Sequence, residues 1–209
     1  MARVRVHQHV NPLSPHYRQT HKPIDLASVF ADPAVPLHLD IGCGRGRFIH
    51  KMSELESGWN FIGIEIREPL VDEANRLRSE ANLTNLHYIF ANAMFGFETL
   101  IQQIPDVLLH TVTIQFPDPW FKRKHAKRRM VNKELVDTVA DKLSPGGLIF
   151  VQSDIQFLAR EMFELFRRNR SLNERRINAN PFQVKTEREI SVENREIAVY
   201  RAIFVKDNI

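Results

Sequence analysis

Apolar and polar positions change period along this chain, and the changes mark its elements. From Leu37 onward, short apolar runs alternate with stretches whose apolar residues recur every three or four positions. The runs at 37–41, 59–66, 86–90, 107–116 and 148–152 predict strands, and a long apolar run at 197–205 predicts a last one. Between them, 47–55, 67–81, 97–104, 130–143 and 156–167 predict helices. The helical stripe is clearest at 67–81, with Leu70, Val71, Ala74, Leu77 and Ala81, and at 130–143, with Val131, Leu135, Val139 and Leu143. The latter stops at Ser144-Pro145-Gly146-Gly147. Ser153 or Asp154 is placed to cap the helix 156–167. Strands alternating with helices imply an α/β fold: a mostly parallel sheet with helices on both faces. Ligands of such sheets bind beyond the carboxyl ends of the strands, so the residues just after each strand carry the functional weight.

Residues 1–34 lack this periodicity and read as a basic N-terminal arm, with prolines at 12, 15, 23 and 33, a further one at 36, and no acidic residue before Asp25. The arm carries His7, His9, His16 and His21, whose spacing and lack of Cys or carboxylate companions do not make a metal site. Residues 35–209 form the expected folded domain, and 209 residues suit one domain with one sizeable core. A single cysteine, Cys43, excludes an internal disulfide and fits a reducing compartment. No apolar run reaches the ~18 residues of a membrane helix, and the first residues lack the apolar segment of a secretory signal. A cytoplasmic protein is therefore expected. The net charge of +4 is modest, but six Lys/Arg fall within the eight residues 122–129, which points to an anionic partner.

The first strand runs into Leu39-Asp40-Ile41-Gly42-Cys43-Gly44-Arg45-Gly46. Glycines allow a sharp turn and close approach to a ligand, and the following helix offers free N–H groups. A dinucleotide site needs G-x-G-x-x-G to admit a pyrophosphate. In this chain the third glycine comes one residue early and Arg47 takes the dinucleotide position. G-x-G-x-G after an acidic residue resembles instead the first motif of S-adenosylmethionine (SAM)-dependent methyltransferases. Asp40 and Glu65 suit a cationic ligand, and Glu65, ending the second strand, suits both hydroxyls of a ribose. Asn92, after the third strand, could bond an adenine edge. A ligand-free strand–helix turn is the competing reading of the glycine loop, with Cys43 a small filler.

The fourth strand leads into Gln115-Phe116-Pro117-Asp118-Pro119-Trp120. Two prolines pin the backbone around Asp118, whose carboxylate should face the methyl donor. Phe116 is expected in the core, and Trp120 suits either packing or stacking. A carboxylate flanked by an aromatic and a basic run suits a nucleic-acid base held near the donor, with its phosphates gripped outside.

LDIGCGRGRF, GIEI, ANA, FPDPWFKRKHAKRR, the Ser153-Asp154 pair and TERE at 186–189 together resemble the tRNA (guanine-N(7)-)-methyltransferases. The resemblance runs from about Leu37 to the end of the chain. It implies methylation of guanine N7 at position 46 in the variable loop of tRNA, with SAM as donor and no metal. It also implies a Rossmann-like, seven-stranded SAM-methyltransferase sheet. By resemblance, Asp118 is catalytic; Asp40, Glu65, Asn92 and Asp118 contact the donor together with the loop glycines Gly42, Gly44 and Gly46; and Lys122, Asp154, Thr186 and Glu189 contact the substrate. Arg123, Lys124, Lys127, Arg128 and Arg129 are expected on tRNA phosphates. A monomer or homodimer without an obligatory protein partner is expected. Two positions depart from the family pattern: Asp40, where Glu is commoner, and Ile190-Ser191-Val192-Glu193. The rival readings are methylation of another RNA or DNA base position, and a non-catalytic RNA-binding protein with this fold.

Overall fold

In the computed structural model, which describes residues 10–19 and 21–207, seven strands form one sheet. His7 and His9 of the arm lie outside the described residues. The strands are β1 (Leu37–Ile41), β2 (Asn60–Glu65), β3 (Leu86–Phe90), β4 (Leu109–Gln115), β5 (Leu148–Ser153), β6 (Leu172–Arg176) and β7 (Tyr200–Lys206), in the order β3-β2-β1-β4-β5-β7-β6. The five strands β3 to β5 are parallel, and β7 runs antiparallel between β5 and β6.

The period-two alternation of the strands sorts their side chains between two cores. On one face Ile62, Ile64, Val112, Ile114, Ile149 and Val151 join the larger core. It is completed by helices α4 (Phe97–Ile101), α5 (Lys133–Lys142) and α6 (Gln156–Arg167). On the other face Phe61 and Tyr88 pack against Phe48, Ile49 and Met52 of α2 (Arg47–Leu55) and Val71 and Ala74 of α3 (Glu68–Glu80). Both faces of the sheet are thus covered, as a parallel sheet requires.

Three departures from the sequence reading have simple causes. Strand β6 reads Leu-Asn-Glu-Arg-Arg and buries only Leu172, because it is an edge strand and its apolar signal is a single residue. Helix α6 takes Ile155 as its N-cap with no side-chain cap bond. The Ser153 hydroxyl accepts from the Ile155 N–H at 3.1 Å, while Asp154 pairs with Arg188. Helix α5 starts at Lys133 rather than at Met130, because the Asn132 side chain caps it by accepting from the Leu135 N–H at 2.9 Å.

The N-terminal segment enters the core before residue 35. A short helix α1 (Leu26–Val29) buries Leu26, and Ile24 and Phe30 are buried beside it. The Ile24 N–H donates to the Leu100 carbonyl at 2.9 Å.

Gly46 begins α2 with a left-handed backbone, φ +71°. A Cβ at this position would sit 2.2 Å from the Tyr88 ring, whose hydroxyl donates to the Gly46 carbonyl at 2.9 Å. This glycine is therefore required by packing between α2 and β3. Gly46→Ala should lower unfolding stability by ~2 kcal/mol or more, from overpacking plus the left-handed backbone penalty. Urea unfolding of the purified variant measures it, and an unshifted midpoint would contradict the packing role.

Candidate functional site

Strand order reverses between β1 and β4, so the connections after these strands part and leave a crevice. A cavity of about 790 Å³, counted with its open mouth, lies there. Gly42 lines it after β1, Glu65 at the end of β2 with Arg67 beyond it, Asn92 and Met94 after β3, and Phe116, Asp118 and Trp120 after β4.

The glycine loop is tied down by its own backbone. The N–H groups of Gly42 and Cys43 both donate to the Ile64 carbonyl, at 2.8 and 3.0 Å. The Gly44 N–H donates to Glu65 Oε2 at 2.9 Å. Glu65 is buried, and its other contacts come from Arg67: the backbone N–H (3.1 Å) and Nε (2.8 Å) on Oε1, and Nη2 (3.1 Å) on Oε2. Each carboxylate oxygen thus accepts two bonds, which fills its usual capacity. Arg67 was not singled out by the sequence; a basic residue two positions after a strand-end acid is its only trace there.

Asp40, Gly44 and Gly46 do not line the cavity. Asp40 is buried beneath the loop and accepts from the Thr113 hydroxyl at 2.6 Å. Because Thr113 donates to Asp40, its oxygen accepts from His38 Nε2 at 3.1 Å, giving a chain across β1 and β4. Burial pushes the Asp40 carboxyl up to about 7, against the pull of Thr113 and Gln115, and the Glu65 charge adds to the rise. Burial holds His38 down at about 3, so this imidazole is neutral.

Asn92 is buried and fully engaged. Its Nδ2 donates to the carbonyls of Pro12 (2.9 Å) and Tyr17 (3.0 Å), and its Oδ1 accepts from the Met94 N–H (3.0 Å). The amide expected at an adenine edge is thus bonded to the N-terminal segment, whose Val10 and Pro12 themselves line the cavity. The rings of His16, Tyr17 and His21 pack around Phe90 at the end of β3. Among the described residues no cluster of His, Cys, Asp or Glu is arranged to hold a metal ion.

Asp118 is exposed at the cavity mouth. Phe116 and Trp120, on either side, have φ of +50° and +43°. Left-handed backbone at such bulky residues costs of order 1–3 kcal/mol each and persists only where the surroundings enforce it. Phe116 is not a core residue; the left-handed turn carries it out of β4 to the cavity wall. The enforcing contacts are the Phe116 N–H on the Gln152 carbonyl (2.9 Å) and Arg129, whose Nε donates to the Pro119 carbonyl at 3.0 Å and whose Nη2 reaches that of Trp120 at 3.4 Å.

The basic run divides. It forms a 3-10 helix over Arg123–Arg128, from which Lys122, Arg123, Lys124 and Lys127 are exposed. Arg128 turns inward, lining the cavity with its guanidinium 4.9 Å over the Trp120 ring. Arg129 also turns inward and pairs with Glu161 of α6. Its expected contact with phosphate gives way to holding the Asp118 loop.

Of the residues assigned to substrate by resemblance, Lys122 is exposed, Asp154 and Thr186 are half-buried and Glu189 is buried. Thr186 caps a helix α7 (Glu187–Glu193), accepting from the Glu189 N–H at 3.0 Å. Glu189 is fully buried: Oε1 accepts from Arg201 (2.9 Å), and Oε2 from Gln152 (3.1 Å) and Asn180 (2.7 Å). The Gln152 amide also donates to Gln115 Oε1 at 2.8 Å, linking α7 to the cavity-lining end of β4. Asp154 is paired with Arg188 of α7. Gln152 and Arg201 were missed by the sequence reading, although a lone arginine in an apolar strand signals a buried acidic partner.

A family described as "Putative methyltransferase" matches residues 34–202. Among curated relatives, a tRNA (guanine-N(7)-)-methyltransferase of Trichormus variabilis is 49% identical over 96% of this chain and 95% of its own. One of Thermosynechococcus vestitus is 47% identical over 95% and 93%. Among solved structures, the aminoglycoside resistance methyltransferase NpmB1 superimposes with a TM-score of 0.55 at 20% identity, over 86% of this chain and 89% of its own. A 30S ribosomal A1408 methyltransferase from an uncultured bacterium does so at 0.55 and 17%, over 88% and 95%. At these identities the structures speak to the fold alone.

The Asp40 proton gives a test with a definite sign. A folded-state value near 7, above the ordinary 3.8, means that the folded chain binds this proton more tightly than the unfolded one. Its stabilisation is complete below about pH 3.8 and is lost as pH rises through about 7. Relative to Asp40→Asn, the unmutated chain should lose stability across that window and then level off. Urea unfolding of both at a series of pH values measures the difference, and a constant difference would show an ordinary carboxyl at Asp40.

Proposed function

The chain belongs to the tRNA (guanine-N(7)-)-methyltransferase family, and we propose that it transfers the methyl group of S-adenosylmethionine to N7 of guanine 46 in the variable loop of tRNA. The observation that carries this reading is the junction at Asp118: an exposed carboxylate on a strained, pinned loop, with the cavity on one side and outward-facing cations on the other. A base entering the mouth meets the carboxylate while its backbone lies against Lys122, Arg123, Lys124 and Lys127.

The cavity suits the donor by its own chemistry. A carboxylate fixed at the end of β2 matches a ribose diol, the loop N–H groups and glycines leave room beside it, and acidic groups favour a cation. Glu65, Gly42 and the residues around Asn92 would hold it. Seating hydroxyls on Glu65 requires Arg67 to give up its two side-chain bonds, since both oxygens are otherwise saturated. The donor supplies an electrophilic methyl group on a sulfonium.

Guanine N7 carries a free lone pair, so no base is needed to uncover the nucleophile. The task is positioning and electrostatics. Positive charge appears on the purine as N7 is alkylated, and Asp118 at the mouth stabilises it. The pinning by Arg129 and by the Phe116 N–H keeps that carboxylate in place without reorganisation.

Asp118→Ala should fold normally, because the side chain is exposed, yet lose roughly 100-fold or more in turnover. Transfer of labelled methyl to unmodified tRNA measures it; undiminished turnover removes Asp118 from the mechanism, and label at any site other than guanine N7 overturns the assignment. Replacing Lys122, Lys124 and Lys127 together by Gln should weaken tRNA binding and lower the salt dependence by about one slope unit per lost phosphate contact. An unchanged slope in filter binding at several salt concentrations would remove these lysines from the interface.

A further inference from the structure

Two phenylalanine rings stand in solvent beside the Asp118 loop. Phe121 is 67% exposed and Phe157 42% exposed. Their ring centroids are 6.0 Å apart in an edge-to-face arrangement. Neither belongs to the core. The buried stripe of α6 is Leu158, Ala159, Met162, Phe163 and Phe166, and Phe157 lies off it. Phe121 follows Trp120 directly and precedes the outward cations Lys122, Arg123 and Lys124. Arg129 joins the parts: its guanidinium lies 5.1 Å over the Phe157 ring while it bonds the Pro119 and Trp120 carbonyls. The aromatic pair is therefore built onto the same pinned unit as Asp118.

We propose that Phe121, supported edge-on by Phe157, is a stacking platform for an unpaired base of the tRNA substrate next to the methylated guanine. The proposal rests on the reading of the chain as a tRNA methyltransferase. An exposed aromatic face is wasted in water but takes any base, and stacking tolerates sequence because every base has a π-face. The occupant is chosen by the charge around it. Lys122, Arg123, Lys124 and Lys127 complement the phosphates on either side of a stacked base, as in surfaces that bind single-stranded nucleic acid. A second copy of the chain seated on this patch would bring the same cations against each other. The platform would hold the strand on the outside while the neighbouring guanine enters the cavity, so it would act on tRNA affinity and leave donor binding alone.

The test is a substitution series in the full chain: Phe121→Ala, Phe121→Leu, Phe121→Trp and Phe157→Ala. Binding to unmodified tRNA, binding to S-adenosylmethionine, the melting temperature, self-association by sedimentation and methyl transfer are measured for each. Phe121→Ala and Phe121→Leu should each weaken tRNA binding roughly 5- to 100-fold, the range of a lost base stack. Phe121→Trp should retain affinity, and Phe157→Ala should show a smaller loss. Donor affinity and melting temperature should not move. Affinity restored by Leu overturns stacking in favour of plain apolar contact. Unchanged tRNA affinity in Phe121→Ala, or a loss of self-association instead, overturns the platform while the unmutated chain still methylates tRNA. An unmutated chain that transfers no methyl to tRNA fails the underlying assignment instead, which separates the two failures.

Discussion

A parallel sheet that winds one way from β1 and the other way from β4 has to leave a gap beyond the carboxyl ends of those two strands. The candidate site of this chain is hung on that gap. The glycine loop closes one side of it, Glu65 and the residues after β3 line a second, and the left-handed turn at Phe116 swings the Asp118 loop over a third. None of these segments could be moved to another strand and still meet the others.

The acids around the gap differ in kind because their surroundings differ. Asp40 sits under the loop with a hydroxyl partner, and burial drives its carboxyl towards neutrality. Glu65 is as deeply buried but lines the cavity, with an arginine and two backbone N–H groups bonded to its carboxylate. Asp118 stands at the surface on a loop whose strain is held by contacts from β5 and Arg129. Asp40 and Glu65 are thus equally buried, and of the three only Asp118 reaches solvent.

The strands of the parallel half were legible because each is a buried apolar run, and a run of that kind has few other uses. The edge strand β6 and the helix α7 were not. β6 buries one leucine, and α7 buries Val192 beside the charged Glu189, so hydropathy has little to register in either. Glu65, Asn92 and Asp118 were legible as site candidates because topology alone puts strand ends at the gap. The groups that hold them in place were not, since Arg67 on Glu65, the Pro12 carbonyl on Asn92 and the Gln152 carbonyl behind Phe116 gain meaning only through distance. The motif at Asp40 and Gly46 points to a ligand, and only the structure shows that Asp40 also bonds Thr113 and that Gly46 is packed on the Tyr88 ring. The basic run was read as one patch because its residues are consecutive. A 3-10 helix turns them about its axis, so two of the six cations face inward.

The tether between Asn92 and the N-terminal segment bears on how the cavity opens. One wall is made of Val10 and Pro12, held to β3 by two hydrogen bonds and a few ring contacts, whereas the opposite walls are continuous with the sheet. Segments with few buried contacts open at far lower free energy than the core they rest on. Detachment of residues 10–17 would widen the cavity and release the Asn92 amide with the seven-stranded frame intact. Access to the cavity would then depend on local unfolding of a short peptide, and hydrogen exchange in that peptide would report the free energy of its opening.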